Sequence, residues 1–214
     1  MKRCNLITFL TLLLVMSGCT AMNYSLVAPG VVAVDDLTVQ AGTSWNRAPA
    51  AATPSARKNS ATWTQDGLLL DRIAIIPGVP DGEPLLITRD KSAALPVFRA
   101  DMLPNELEEL LESTIVKLFG EGQAVVSTAN LRPYRFGDQT GVMFDIDATV
   151  TDSPKYSGIV GAFIANDKLY LMYFLGAVVP AAGVIFAEWQ RNDCLSMHLP
   201  GHDRIVRHAR CQRR

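Results

Sequence analysis

The side chains best suited to chemistry lie near the end of this 214-residue chain: Cys194, His198, His202, His208 and Cys211. Thiolates and imidazoles are zinc ligands. Here three, three, five and two residues separate successive members, a spacing that fits no familiar zinc module. Cys194 and Cys211, with sixteen residues between them, could instead close a disulfide. Such a bond is worth about 3 kcal/mol if unstrained, provided the compartment is oxidising. Disulfide, free thiols and metal are three readings of the same residues, and the disulfide is the simplest. No cofactor is expected.

Other candidates are weaker. Asp145 and Asp147 stand two apart in an alternating segment and share one face of a strand, as a metal or acid/base pair would. No His or Cys lies near them in sequence, so they read as solvated strand carboxylates. Glu106, Glu108, Glu109 and Glu112 crowd the start of a helical pattern, where they favour the positive end of the helix dipole and keep the surface soluble. All three histidines follow residue 197, and GxSxG, HExxH and GxxxxGK[ST] are missing. A Ser/His/Asp enzyme would have to draw its base from the tail, so the chain reads as no enzyme. Arg204, Arg207, Arg210 and Arg213 recur every three residues. They suit a solvated, frayed terminus or contact with anionic head groups, at about 1 kcal/mol per arginine near such a surface.

The remaining reactive residue, Cys19, follows the parts of a secretory signal. Lys2 and Arg3 form a positive start, 7–16 an apolar run interrupted by Thr8 and Thr11, and Ser17 and Gly18 a small-residue processing point. The run is short of the roughly 20 apolar residues of a membrane-spanning helix. Met16-Ser17-Gly18-Cys19 resembles the lipobox of bacterial lipoproteins, with methionine where leucine is usual. The resemblance implies removal of a signal peptide, 1–18, and acylation of Cys19 as the first mature residue. Thr20, standing where an inner-membrane retention signal would have Asp, implies the outer membrane, facing the periplasm.

Removing residues 1–18 leaves 18 basic and 21 acidic groups, a net charge of −3. The segment 191–214 carries six arginines against Asp193 and Asp203, so the rest is acidic, which argues against nucleic-acid binding. A mature length of 196 residues suits a single domain. The organisation expected is a lipid anchor and tether over 19–30, an α+β domain over 31–197 with a loop or linker at 46–62, and a basic tail over 198–214.

The elements that position these residues follow from periodicity. Residues 31–39, rich in valine and broken at Asp35-Asp36, predict a first strand, and 68–76 a second. Leu107, Leu110, Leu111, Thr114, Ile115 and Leu118 recur with helical spacing between Pro104 and Gly120, predicting a helix. Strands are predicted over 123–131 and 141–151, followed by a hairpin turning at Asn166-Asp167. The uncharged stretch 169–187 is long enough for a membrane span. Gly176, Pro180 and Gly183 favour a strand, a turn and then a closing helix over 182–197.

The expected fold class is therefore α+β, an antiparallel twisted sheet covered by a central and a C-terminal helix. The element order, Trp45 after the first strand, WTQDGLLLDRIAI, GVMFDIDATV and NDKLYLMYF resemble the PsbP-like family. That resemblance implies a non-catalytic binding or assembly module of membrane-associated complexes. Phrases such as WTQDG, DGEPLL and FRADMLP also resemble small uncharacterised bacterial envelope proteins. The function expected is an envelope-anchored lipoprotein without enzymatic activity, partnered by the membrane through its anchor and by an envelope protein complex, with no nucleic acid. The alternative is an envelope hydrolase or metal-binding protein using the C-terminal Cys/His cluster.

Overall fold

The structure, a computed structural model, describes residues 23–88, 94–178 and 196–199. Eleven strands are present among them: β1 (Ser25–Val27), β2 (Gly30–Val34), β3 (Leu37–Ala41), β4 (Trp45–Arg47), β5 (Ala61–Thr64), β6 (Asp71–Pro80), β7 (Ala124–Phe136), β8 (Gln139–Val150), β9 (Lys155–Ala165), β10 (Lys168–Ala177) and β11 (Ser196–His198). Eight of them form an antiparallel sheet in the order β1-β4-β5-β6-β10-β9-β8-β7, and β11-β3-β2 form a second sheet. One α-helix, α1 (Pro104–Phe119), lies between β6 and β7 in the chain, and Ala50–Ala52 makes a single 3-10 turn.

The large sheet is apolar on both faces, which dictates three layers. On one face Phe144, Ile146, Val160, Ala162, Leu169 and Leu171 pack against Leu107, Leu110, Leu111 and Ile115 of α1 and against Leu85 and Phe98 from the loop before it. On the other, Trp63, Ile73, Ile75, Phe163, Tyr170 and Phe174 pack against Val34, Leu37 and Val39 of the small sheet and Met197 of β11. A strand covered on both sides must be apolar at consecutive positions, as SGIVGAFI and LYLMYFLG are. Each large side chain so buried contributes about 1.5–3 kcal/mol relative to exposure.

This arrangement corrects the expected fold class. The sheet is not covered by a central and a C-terminal helix. One face carries α1, whereas the other carries a small β-sheet, so the protein is predominantly antiparallel β with one helix among the described residues. The packing of two helices on one sheet implied by the PsbP-like resemblance is set aside with it. The physical reason lies in LTVQA, whose alternation buries Leu37, Val39 and Ala41 against the large sheet. Of the closing helix expected over 182–197, residues 182–195 lie outside the described residues. Ser196–His198 is a strand paired with Thr38–Gln40.

Helix α1 obeys its local signals. Pro104 takes the first helical position, the Glu106 carboxylate accepts from the Leu103 amide at 2.6 Å, and Gly120 ends the helix at φ 96°. The β9–β10 hairpin turns at Asn166-Asp167, both with positive φ, as a tight two-residue hairpin turn requires.

Candidate functional site

Cys19, Cys194, Cys211, Arg204, Arg207, Arg210 and Arg213 lie outside the described residues, as do His202 and His208. The described chain begins close to Cys19, however, because Ser25–Val27, inside the stretch read as anchor and tether, pairs with β4 and enters the large sheet at its edge.

The carboxylates singled out by sequence are each engaged separately. Asp145 accepts from Asn130 Nδ2 at 2.8 Å and meets Arg132 Nη1 at 3.3 Å, across a bulge in β7 where Asn130 has positive φ. Asp147 meets Lys155 Nζ at 2.9 Å and accepts from the Ser157 hydroxyl. Partial burial pushes the Asp147 carboxyl up, but Ser157 and Lys155 outweigh it and hold the group below its ordinary range. Two carboxylates with separate cationic partners are a surface pairing pattern, not an acid/base couple. Among the described residues no three His, Cys, Asp or Glu side chains gather as they would around a metal ion.

The helix glutamates do more than favour the dipole. Glu112 Oε1 accepts from both the backbone amide and the hydroxyl of Thr128, at 2.7 and 2.8 Å. Burial, with Glu112 and Glu109 nearby, pushes the Glu108 carboxyl up against the opposing influence of Thr128.

A second polar cluster ties the two sheets together. The turn at Asp35-Asp36 joins β2 to β3 and reaches across to β6 and β10. Tyr170 Oη donates to Asp36 Oδ2 at 2.9 Å, Lys168 Nζ lies 3.8 Å from the same oxygen, and Asn59 Nδ2 donates to Asp35 Oδ2 at 2.8 Å. Gly78, at φ 57°, leaves room for the Asp36 carboxylate, which a Cβ there would meet at 3.2 Å. Between the sheets a cavity of about 50 Å³ is lined by Tyr134, Phe136, Met143, Met172 and Phe174 among others. Its walls are apolar and suit an apolar group.

The most tightly constructed surface feature was missed by the sequence reading. The β5–β6 connection is organised by Asp71, whose side chain accepts from Thr64 Oγ1 at 2.7 Å and from the amides of Gln65 and Asp66 at 2.8 Å each. Thr64 Oγ1 in turn accepts from the Gly67 amide at 2.8 Å. At the tip the Leu69 carbonyl accepts from Tyr156 Oη at 3.0 Å and the Leu70 carbonyl from the Ala177 amide at 2.7 Å. The Arg72 guanidinium lies 5.3 Å from the centre of the Tyr156 ring, a cation–π contact behind the tip. The backbone is thus closed on itself while Leu69 and Leu70 project outward. The signal available was Asp66-Gly67, a turn dipeptide that places the following leucines in the turn instead of a strand.

Leu169 to Ala177 belongs to β10, so the first half of the uncharged stretch 169–187 is sheet. No helix among the described residues is long and apolar enough to cross a membrane. No protein-family description matches the chain, and no curated protein matches it.

Proposed function

We propose that this protein is a lipoprotein of the bacterial envelope, held at a membrane by acylated Cys19, whose body is a non-catalytic binding or assembly module. The observation that carries the reading is the order Lys2-Arg3, apolar 7–16, Met16-Ser17-Gly18-Cys19, followed six residues later by β1. A thiol attacks the lipid donor, the small residues before it admit the signal peptidase, and the body begins at once. Burial of acyl methylenes contributes about 0.8 kcal/mol each, so several chains on one cysteine would hold the domain firmly. With Thr20 next in line, the anchor belongs in the outer membrane, and the body works in the periplasm beside an envelope protein complex.

The non-catalytic part of the proposal is supported by how the capable side chains are used. Asp71 holds a turn, Asp145 and Asp147 pair with Arg132 and Lys155, and Tyr170 joins Asp36 across the two sheets. The test is metabolic labelling with palmitate in a bacterial host. The wild-type chain should take up label and run as the processed form, and Cys19→Ser should remain unlabelled at precursor mass. A labelled Cys19→Ser variant would sink the proposal.

A further inference from the structure

The geometry points to the β5–β6 turn, tipped by Leu69 and Leu70, as a second membrane contact that enters the boundary between lipid head groups and acyl chains. This rests on the lipoprotein reading of Cys19, because the anchor brings the tip to a lipid surface.

The tip has the surface chemistry for it. Leu69 is 77% exposed, Leu70 48%, and Val178, beside them through the Ala177–Leu70 hydrogen bond, 44%. Single exposed apolar residues are ordinary. Adjacent ones on a rigid turn require a different account, since ordering a loop to show leucine to water has no benefit to the fold itself. Entry into lipid demands that backbone polar groups be satisfied within the protein. Here the carbonyls of Leu69 and Leu70 are accepting from Tyr156 and Ala177, and the Leu70 amide donates to the Gly67 carbonyl at 2.8 Å. The apolar side chains can therefore leave water without stripping an unpaired backbone group. Lys155, whose carbonyl accepts from the Val178 amide, is exposed at the same end, placed to reach lipid phosphates. Asp66, also exposed, would lie on the water side of the head groups.

The tether selects this end of the sheet. Ser25 pairs with Arg47, Arg47 with Trp63 and Trp63 with Ile73, two residues in from Asp71 where β6 begins. The anchored edge is thus about 7 Å of strand from the tip's end of the sheet. Six residue steps separate Cys19 from Ser25, a reach of at most about 20 Å. At the other end, Phe174, level with Ile73, is six residues from Lys168, about 20 Å of strand. That distance would consume the whole tether before the Asn166-Asp167 turn, and the turn is polar. Across the sheet, the β5–β6 connection is two to three strands from β1, roughly 10–14 Å away. Tyr24 and Leu26, both exposed, lie next to the tether on the same flank.

The experiment uses the full acylated chain reconstituted in vesicles of phosphatidylethanolamine and phosphatidylglycerol that carry a photoactivatable diazirine in the acyl chain. After irradiation, peptide mapping should find lipid adducts on residues 65–72 and none on 166–168. Leu69→Ser combined with Leu70→Ser should reduce tip labelling at least fivefold while palmitate incorporation is unchanged. An acylated wild-type chain with no adduct at the tip, or with equal adducts at both ends, overturns the inference and leaves the lipoprotein reading standing. A chain without acyl groups overturns that reading, and the inference with it.

Discussion

Thr64 Oγ1 donates to Asp71 Oδ1 across 2.7 Å, and the same carboxylate accepts the amides of Gln65 and Asp66, so one buried side chain sets the path of the whole β5–β6 turn. Hydrogen bonds to a charged group contribute about 1.5–3 kcal/mol, and stranding buried donors costs about as much again. Asp71→Ala should therefore lower the urea midpoint by the equivalent of about 2–4 kcal/mol, and Thr64→Val by about 1 kcal/mol. The double variant should be less destabilised than the two single losses combined, because both remove the same contact. Strict additivity in that cycle would show that Asp71 does not act through Thr64.

Helix α1 was legible because its stripe is local: Leu107, Leu110, Leu111, Thr114 and Ile115 are all buried, within the span read between Pro104 and Gly120. The alternation of Val142, Phe144, Ile146 and Ala148 and the turn at Asn166-Asp167 were legible for the same reason. The segment 31–39 was read as one strand although Asp35 bends it into the β2–β3 hairpin, with Asp35 at φ 54°. The second sheet was hidden because it depends on Ser196–His198 joining Thr38–Gln40, a pairing of residues far apart in the chain with no periodic signature. The tip at Leu69 and Leu70 was hidden by composition, since three leucines before Asp71 look like the start of a strand until the Asp71 hydrogen bonds curl them into a turn. The carboxylates of 145 and 147 were placed correctly on a polar face, but their partners, Arg132 and Lys155, come from neighbouring strands that spacing does not reveal.

The glycines of β9 should differ sharply in tolerance. A Cβ at Gly158 would run into the backbone carbonyl of Phe174 on β10, which cannot move without breaking the ladder. At Gly161 it would meet the far end of the Phe136 ring at 2.9 Å and Met197 Cε at 3.3 Å, atoms of side chains that can shift. Overpacking typically costs about 1–3 kcal/mol. Gly158→Ala should fall at the upper limit of about 3 kcal/mol and Gly161→Ala near about 1 kcal/mol, as measured by thermal unfolding. Equal losses would mean that β9 and β10 are less closely paired than this register requires.

Alkaline pH should loosen the junction of the two sheets. Burial, then the hydrogen bond to Asp36 and the charges of Asp36 and Asp35, push the Tyr170 hydroxyl well above its ordinary value. Burial also raises Tyr173, against a smaller opposing influence of Arg72. Both groups stay protonated in the folded chain while the unfolded chain ionises near pH 10. Their contribution to stability is therefore complete below about pH 10 and is lost progressively above it. Tyr170→Phe should cost about 1 kcal/mol at neutral pH through the missing hydrogen bond, and should flatten the decline above pH 10 without abolishing it, because Tyr173 remains. An unchanged slope in that variant would remove Tyr170 from the account.

The outer edge of β7 needs protection, because it ends the large sheet and presents strand amides to any other strand. Glu112 supplies part of that protection from α1: its carboxylate accepts from the Thr128 amide at 2.7 Å and from the Thr128 hydroxyl at 2.8 Å. A bulge between Ala129 and Arg132 and a proline at 133 interrupt the rest of the edge. Glu112→Ala would strip the cap while leaving the buried stripe of α1 untouched. Stability should fall by about 1–2 kcal/mol, the usual consequence of losing hydrogen bonds to a partly buried carboxylate. The more telling measurement is sedimentation velocity across a concentration series of the chain lacking residues 1–19. The variant should form dimers or larger species at concentrations where the parent stays monomeric, and Glu112→Gln, which retains an acceptor oxygen, should fall between them. If the three chains sediment alike at every concentration, the Glu112 contact stabilises the packing of α1 on β7 and does not guard the edge.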